Sequence, residues 1–187
     1  MNRKQGALSQ REKVNQKFIH VSLEMETSTH FPMLIKAVQK TKGTVVELGS
    51  GLFSTPLLHW LCFDNKRKLI TYESYRHYLE FANKFKTDSH EIKFVENWAK
   101  ENFDDHYAVV LIDHSIPRKT HTRGDDALRF KDKAEYIILH DAGEETFEKY
   151  GYKEIYPHFK YRYDWTGCFP HTTVLSNFND LEWLNSQ

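Results

Sequence analysis

The chain has 187 residues, of which 14% are aromatic and 28% are charged, with 26 basic and 26 acidic side chains. This length fits one domain whose core needs no metal or disulfide, and the aromatic content excludes a disordered chain. The formal net charge of zero argues against an extended nucleic-acid surface, because such a surface needs a basic face.

The N-terminus is polar and basic and lacks the apolar segment of a secretory signal. No apolar run approaches the roughly 20 residues that cross a bilayer. Only two cysteines are present, Cys62 and Cys168, and they form no CxxC pair. These features predict a cytoplasmic protein with reduced thiols and no membrane contact.

The predicted elements begin with two helices. Ser9 and Glu12 predict the cap of a short helix over Arg11–Phe18. Apolar residues at helical spacing predict a helix over Phe31–Lys42, which Gly43 ends. Strands and helices then alternate, and this alternation predicts parallel strands joined by crossover helices. The strands are Val45–Leu48, Lys68–Glu73, Ile92–Val95, Ala108–Asp113 and Glu135–Asp141, and the helices are Ser54–Phe63, Tyr75–Phe85 and Arg123–Lys133.

The last part of the chain has a different pattern. Tyr156–Trp165 and Phe169–Phe178 are aromatic and β-branched, and Thr166 and Gly167 separate them. This arrangement predicts an antiparallel hairpin at a sheet edge. The predicted fold class is therefore α/β, with helices on both faces of a mostly parallel sheet. Exposed aromatic residues in the tail could support a homodimer.

Polar residues stand at the end of each predicted parallel strand. In open parallel sheets ligands bind beyond the carboxyl ends of the strands, so these residues predict a ligand site at one edge. They are Glu47, Glu73, Glu96, Asp113 with His114, and His140 with Asp141.

The segment Glu47-Leu48-Gly49-Ser50-Gly51 is the most informative of these strand ends. Its glycines allow a sharp turn and the close approach of a ligand to the backbone. A dinucleotide site has the pattern GxGxxG, but Ser54 stands at the third glycine position. An acid two residues before the first glycine suits a cofactor with a cationic amino-acid end. A nicotinamide-dependent oxidoreductase is therefore the less favoured alternative.

Glu47-x-Gly49-x-Gly51 resembles motif I of the class I S-adenosylmethionine-dependent methyltransferases. Glu73 is similar to the acid that holds the ribose hydroxyls in that family, and Glu96-Asn97-Trp98 resembles the segment beside the adenine. The closing hairpin resembles the last two antiparallel strands of the family. The resemblance spans roughly residues 31–178. The segment from Trp98 to Asp164 also resembles uncharacterised small methyltransferase-like proteins of bacteria and their phages.

The resemblance implies a three-layer Rossmann-like sheet of about seven strands in a single domain, residues 1–187. Within it, 1–42 is an N-terminal helical segment, 43–141 the cofactor-binding core, and 142–187 a C-terminal helix and hairpin. The implied reaction is methyl transfer from S-adenosylmethionine to a small-molecule acceptor, with O-methylation as the first choice. The implied cofactor-binding residues are Glu47, Gly49, Ser50, Gly51, Ser54, Thr55, Glu73, Ser74, Asn97, Trp98 and Asp113.

Two of these cofactor residues have alternative roles. Glu47 could face the methionine amine, or it could orient the glycine loop by accepting backbone N–H bonds. Trp98 could lie against the adenine ring, or it could pack in the core. A module that binds S-adenosylmethionine or a nucleoside without catalysis also stays open.

Methyl transfer to a hydroxyl or an amine is helped by a base whose pKa is near neutral, and His114 and His140 are the candidates. Asp113 and Asp141 adjoin them and could orient the imidazoles. Alternatively, Asp113, His140 and Asp141 could hold a divalent cation such as Mg²⁺. That set resembles the pattern of metal-dependent catechol O-methyltransferases, although Ala142 stands where that family supplies an amide ligand.

The segment Arg118–Arg123 places four basic side chains directly after Asp113 and His114. Such a segment could bind an acidic substrate through a carboxylate or phosphate group. It could equally be a solvated loop that leads into the next helix.

Overall fold

The computed structural model describes residues 28–115 and 121–185. The predicted helix over Arg11–Phe18 lies outside the described residues, and so do Arg118, Lys119 and Thr120. The described residues form seven strands and six α-helices. The strands are β1 (Val45–Leu48), β2 (Leu69–Glu73), β3 (His90–Phe94), β4 (Tyr107–Ile112), β5 (Ala134–Leu139), β6 (Tyr161–Trp165) and β7 (Thr172–Ser176). The helices are α1 (Phe31–Lys40), α2 (Ser54–Asp64), α3 (Arg76–Ala82), α4 (Arg123–Phe130), α5 (Phe147–Tyr150) and α6 (Tyr152–Ile155).

All seven strands form one sheet in the order β3-β2-β1-β4-β5-β7-β6. The first five pair in parallel, whereas β7 is antiparallel to both β5 and β6. The prediction of a mostly parallel sheet that ends in an antiparallel hairpin is confirmed. The chain reverses its direction of progress across the sheet between β1 and β4. The loops after these two strands therefore border the crevice in which such sheets bind ligands.

Both faces of the sheet are covered, because β1 and β4 are buried along their whole length. On one face, Met33 of α1 and Leu58 of α2 pack in a cluster with Val109 and Leu111 of β4. On the other face, Phe130 of α4 packs in a second cluster with Tyr107, Val110 and Ile112 of β4. Helices therefore lie on both sides, as the sequence predicted, and the fold has three layers.

The limits of several predicted elements differ from those in the structure. The predicted strand Tyr156–Trp165 begins only at Tyr161, because Tyr156–His158 forms a 3₁₀ turn that contains Pro157. The predicted helix Tyr75–Phe85 is divided into α3 and a 3₁₀ turn at Asn83–Phe85.

In residues 28–115 and 121–185, no helix has the length and apolar character needed to cross a membrane. The two cysteines are not bridged, with Cys62 buried and Cys168 exposed. Phe169 and Phe178 of the tail are 57% and 48% exposed, and the predicted homodimer stays a prediction.

Candidate functional site

The loop between β1 and α2 lies directly against the end of β4. Gly49 has a φ of +90°, and its N–H donates to the carbonyl of Tyr72 on β2 at 2.9 Å. A Cβ at this position would lie 2.4 Å from the Cα of His114. Only glycine fits this contact, since the backbone conformation and the space both exclude a side chain.

The carboxylate of Glu73 is held in one orientation by the glycine loop. Oε2 accepts hydrogen bonds from the N–H of Ser50 at 2.8 Å and from its hydroxyl at 2.9 Å. Oε1 accepts from the N–H of Tyr75 at 2.6 Å. Glu73 is only 4% exposed, and it still lines the cavity beside the loop. A carboxylate has about four acceptor positions, so capacity remains for a ligand.

This cavity, which we call the loop cavity, has a volume of about 170 Å³. Pockets that enclose a drug-sized ligand measure roughly 300–1,000 Å³, so the described residues enclose only part of a nucleoside cofactor. Six predicted site residues line it, namely Gly49, Ser50, Gly51, Ser54, Glu73 and Asp113. Five further residues line the cavity and were not predicted from the sequence, namely Leu52, Phe53, Tyr75, Tyr78 and Ser115.

The position of Tyr75 and Tyr78 beside the cavity could have been predicted from the sequence. Tyr75 and Tyr78 follow Glu73 closely and are three residues apart, which places them on the same side of the first turn of α3. They are 41% and 36% exposed, which is a large exposure for aromatic residues at a cavity mouth.

Glu47 does not line the loop cavity and is fully buried beneath it. Its carboxylate accepts hydrogen bonds from the hydroxyl of Thr55 at 3.0 Å and from that of Thr71 at 2.7 Å. Thr55 in turn accepts from the N–H of Gly51 at 3.0 Å. Glu47 and Thr55 thus support the loop from below. These contacts favour the alternative role of Glu47 in orienting the glycine loop, because its carboxylate accepts from Thr55 and Thr71 and does not line the loop cavity.

Burial raises the pKa of Glu47 to about 7, and the hydrogen bonds from neighbouring hydroxyl groups oppose that rise. The hydrogen bonds continue from Thr71 to His90 at 2.9 Å and from His90 to His59 at 3.1 Å. A neutral or ionised Glu47 can therefore be accommodated within a network of buried polar groups.

The predicted adenine-binding residues do not line the loop cavity. Trp98 is 2% exposed, and its Nε1 donates to the hydroxyl of Ser74 at 3.3 Å. The Trp98 ring lies 4.1 Å from the His114 ring, so it packs in the core, which was the alternative interpretation. The exposed Asn97 accepts from the N–H of Ala99 at 3.1 Å and caps a 3₁₀ turn.

Asp113 and His140 meet at the edge of the loop cavity. Oδ1 of Asp113 lies 3.1 Å from Nδ1 of His140 and 3.0 Å from Nη2 of Arg123. Burial opposes ionisation of Asp113, but these two positive neighbours hold its pKa well below the usual range. Burial alone would lower the pKa of His140, whereas the charge of Asp113 raises it.

Arg123 is 5% exposed and is occupied by protein groups. It bonds the carbonyl of His114 at 2.7 Å and pairs with Asp141 at 3.1 Å, besides its contact with Asp113. Arg123 therefore has no donor left for an acidic substrate, and the predicted role of the segment Arg118–Arg123 stays a prediction, because Arg118, Lys119 and Thr120 lie outside the described residues. Arg123 begins α4, as the alternative interpretation of a loop leading into a helix predicted, but its side chain is buried and not solvated.

His114 lies away from the loop cavity and is 1% exposed. Its Nε2 is 3.0 Å from Oδ2 of Asp126, and Nε2 of His121 lies 2.9 Å from the same oxygen. Burial lowers the pKa of His114, and Asp126 only partly offsets that effect. This imidazole is buried between the end of β4 and α4 and does not line the loop cavity.

The side chains that could hold a metal differ from the predicted set. Oδ1 of Asp141 lies 3.5 Å from Nδ1 of His140, but the cluster of potential ligands is formed by Asp113, His140 and His30 at the start of α1. Within the described residues, one potential ligand atom from each of these three lies within 4.8 Å of the others. Burial lowers the pKa of His30 to about 3, so its imidazole is neutral, the form that binds metals. Nothing in the sequence around Thr29-His30-Phe31 indicated this role.

The fold with this site was compared with known proteins. No protein-family model and no curated protein sequence matches the chain. Solved structures do match, but their sequence identities are so low that the matches show only a shared fold.

One match is a putative O-methyltransferase from Klebsiella pneumoniae, with a TM-score of 0.58, 12% identity, and coverage of 89% of this chain and 87% of that one. The human methyltransferase 10 domain containing protein matches with a TM-score of 0.56 and 11% identity over 83% and 84% of the two chains. A methyltransferase from Pyrococcus furiosus matches with a TM-score of 0.53 and 14% identity over 91% and 98%. The chain therefore has the Rossmann-like fold of class I S-adenosylmethionine-dependent methyltransferases.

Proposed function

We propose that this protein transfers a methyl group from S-adenosylmethionine to a small-molecule acceptor, with a hydroxyl oxygen as the first choice of acceptor atom. The observation on which the proposal depends is the carboxylate of Glu73, fixed by the glycine loop at the wall of the loop cavity. A fixed carboxylate with one free acceptor position accepts a hydrogen bond from a ribose hydroxyl without further reorganisation.

Other groups at the cavity suit the remaining parts of the cofactor. Tyr75 and Tyr78 offer partly exposed rings against which an adenine can stack. Ser54, the first residue of α2, lines the cavity, so the positive end of this helix is directed at the ligand. A helix N-terminus stabilises an anion, and the methionine part of the cofactor has a carboxylate.

Methyl transfer is a displacement at carbon in which the sulfonium sulfur is the leaving group, so no covalent enzyme intermediate is needed. The protein must align acceptor, methyl carbon and sulfur, and must accept the proton of the acceptor. Asp113 lines the cavity and contacts His140, so the proposed base is His140 in its neutral form, which the proton reaches through the carboxylate of Asp113.

Two alternatives of another class stay open to test. One is a module that binds S-adenosylmethionine or a nucleoside without catalysis, and the other is a nicotinamide-dependent oxidoreductase. The second is disfavoured by Ser54, which stands where a dinucleotide site has its third glycine.

The first prediction concerns Glu73. S-adenosylmethionine should bind the wild-type protein in isothermal titration calorimetry, whereas NAD should give no heat. Glu73→Gln should lower the affinity about 10- to 100-fold, because a charge-assisted hydrogen bond contributes about 1.5–3 kcal/mol. The exposed acid Glu96, changed to glutamine, is the matched control and should leave binding unchanged.

Binding of NAD with no heat from S-adenosylmethionine would contradict the proposal. Thermal unfolding of Glu73→Gln without cofactor separates a loss of contacts from a loss of loop structure. Formation of S-adenosylhomocysteine with a panel of hydroxyl and amine acceptors then distinguishes an enzyme from a binding module.

A further inference from the structure

Three side chains from separate parts of the chain converge beside the loop cavity. They are His30 before α1, Asp113 after β4 and His140 after β5, and one potential ligand atom from each lies within 4.8 Å of the others. We propose that these residues bind a divalent transition-metal ion of the kind that accepts imidazole ligands, such as Zn²⁺ or Fe²⁺. Two imidazoles and one carboxylate, with further coordination positions open, are a donor set that such ions accept.

His30 supplies the strongest indication of a ligand. It is 1% exposed, and neither ring nitrogen has a hydrogen-bond partner among the described residues. Buried polar groups are normally paired, so an unpaired imidazole requires a specific explanation. Its ring lies edge-on to the ring of His140, with centroids 4.6 Å apart. A metal ion between His30, Asp113 and His140 would give one ring nitrogen of His30 a partner.

The hydrogen bonds of His140 determine which of its nitrogens faces the proposed ion. The hydroxyl of Thr29 donates to the carbonyl of Pro170 at 2.7 Å and so accepts from Nε2 of His140 at 3.1 Å. Nε2 therefore holds a hydrogen, and Nδ1 faces Oδ1 of Asp113 at 3.1 Å. In a neutral imidazole, Nδ1 then directs a lone pair at a carboxylate oxygen, so a cation, either a proton or a metal ion, must lie between them.

Metal-binding histidines usually have a hydrogen bond of the kind that His140 makes with Thr29. Such a histidine coordinates through one nitrogen and donates the other N–H to a protein oxygen, which fixes the orientation of the ring. His140 has this arrangement, because its Nε2 is bonded to Thr29 and its Nδ1 is directed at Asp113.

The distances agree with one shared ion. Two ligand atoms 3.1 Å apart subtend an angle of about 95° at a metal that is roughly 2.1 Å from each. This value lies near the angles of octahedral and tetrahedral coordination. Two ligand atoms of one ion are at most about 4.2 Å apart, whereas the three atoms here lie within 4.8 Å of one another. We therefore expect the His30 ring to turn slightly toward Asp113 and His140 when the ion binds.

The local charges favour a cation at this position. Two carboxylates, Asp113 and Asp141, face the guanidinium of Arg123, so these three groups have a net charge of −1. A proton on His140 balances that charge when no metal ion is bound, and a metal ion can take its place. The nitrogen-rich donor set also distinguishes this site from the predicted Asp113, His140 and Asp141 set, which suits Mg²⁺. Magnesium prefers oxygen ligands only, so we expect it to bind poorly here.

The position of the ion has a consequence that rests on the proposed function. Asp113 lines the loop cavity, so the open coordination positions of the ion would face an acceptor hydroxyl. A metal ion lowers the pKa of a bound hydroxyl and thereby takes over the role of a base.

The test uses the untagged, full-length protein after treatment with a chelator. Calorimetric titration with Zn²⁺, and with Fe²⁺ under anaerobic conditions, should show one equivalent bound, whereas Mg²⁺ should bind at least about 100-fold more weakly, in line with the donor preferences. His30→Leu keeps the volume of the side chain but removes the ligand, and it should weaken Zn²⁺ binding by about 100-fold or more. His158→Ala, at an exposed histidine, is the control and should bind Zn²⁺ like the wild type.

Two results would overturn the proposal. One is equal Zn²⁺ affinity in the wild type and in His30→Leu, and the other is no stoichiometric binding by the wild type. If His30→Leu does not fold, Co²⁺ added to the wild type decides the question, because a site with two histidines and a carboxylate gives d–d absorption that is stronger than that of aqueous Co²⁺ and shifted from it, whereas a protein that binds no ion leaves the aqueous spectrum unchanged. Metal binding is measured without cofactor, so its failure is distinct from a failure of S-adenosylmethionine to bind.

Discussion

Gly49 brings the glycine loop into contact with the end of β4. Its φ of +90° requires glycine, and so does the distance of only 2.4 Å that would separate an added Cβ from the Cα of His114. Gly51 has neither constraint to the same degree, because a Cβ there would meet only the hydroxyl of Ser54 at 3.4 Å. The two glycines of the motif therefore have different functions, which their spacing in the sequence does not reveal.

We predict that Gly49→Ala lowers the free energy of unfolding by at least about 3 kcal/mol, because the strained backbone and the backbone overlap act together. Gly51→Ala should cost less than about 1 kcal/mol. Urea unfolding followed by circular dichroism, without cofactor, measures both. Equal losses in the two variants would contradict the distinct role of Gly49.

The carboxylates of Glu47 and Glu73, near the ends of neighbouring strands, point in different directions. Glu47 points into the layer between the sheet and α2, on the side of the sheet where Thr71 lies, whereas Glu73 is the last residue of β2 and reaches the cavity. The sequence places both acids at the ligand edge but cannot give their direction. That direction depends on how far each strand continues and on which hydroxyl groups lie beside it.

Among the elements, α4 begins with a capping box that holds Arg123 in place. The hydroxyl of Thr122 accepts from the N–H of Asp125 at 3.1 Å, and the N–H of Thr122 donates to the carboxylate of Asp125 at 2.7 Å. Arg123 then connects α4 to the ends of β4 and β5. The start of this helix at Arg123 agrees with the sequence prediction.

Thr122→Ala should lower the free energy of unfolding by about 1 kcal/mol, because the helix loses the acceptor at its N-cap. Thr122→Ser keeps a hydroxyl and should recover most of that loss. The midpoints of urea unfolding curves compare the two variants with the wild type. A serine variant as unstable as the alanine variant would show that the methyl packing of Thr122 matters more than its cap.

For the molecule as a whole, Glu47 makes stability depend on pH. Its folded pKa of about 7 exceeds the ordinary value of 4.5, because burial disfavours the ionised carboxylate. Below pH 4.5, Glu47 makes its full contribution to the free energy of unfolding. This contribution is lost as the pH rises from 4.5 to 7. The total change is about 3 kcal/mol.

Glu47→Gln should remove this dependence, so we predict that the variant gains stability relative to the wild type between about pH 5 and pH 8, by up to about 3 kcal/mol. Urea unfolding at several pH values measures the difference, and Glu96→Gln is the exposed control. A difference that does not change with pH would mean that Glu47 is ionised throughout this range.

Local patterns in the sequence were sufficient to predict the order of the elements, the parallel sheet with its closing hairpin, and the glycine loop with Glu73. Apolar runs, turn residues and the ends of strands lie within a few residues of one another and can be recognised without the fold. The burial of Glu47 and Trp98, the pairing of Arg123 with two acids, and the meeting of His30 with His140 became evident only in the folded chain. Such contacts join distant residues, as Thr29 and His140 show at a separation of 111 positions, and no local pattern encodes them.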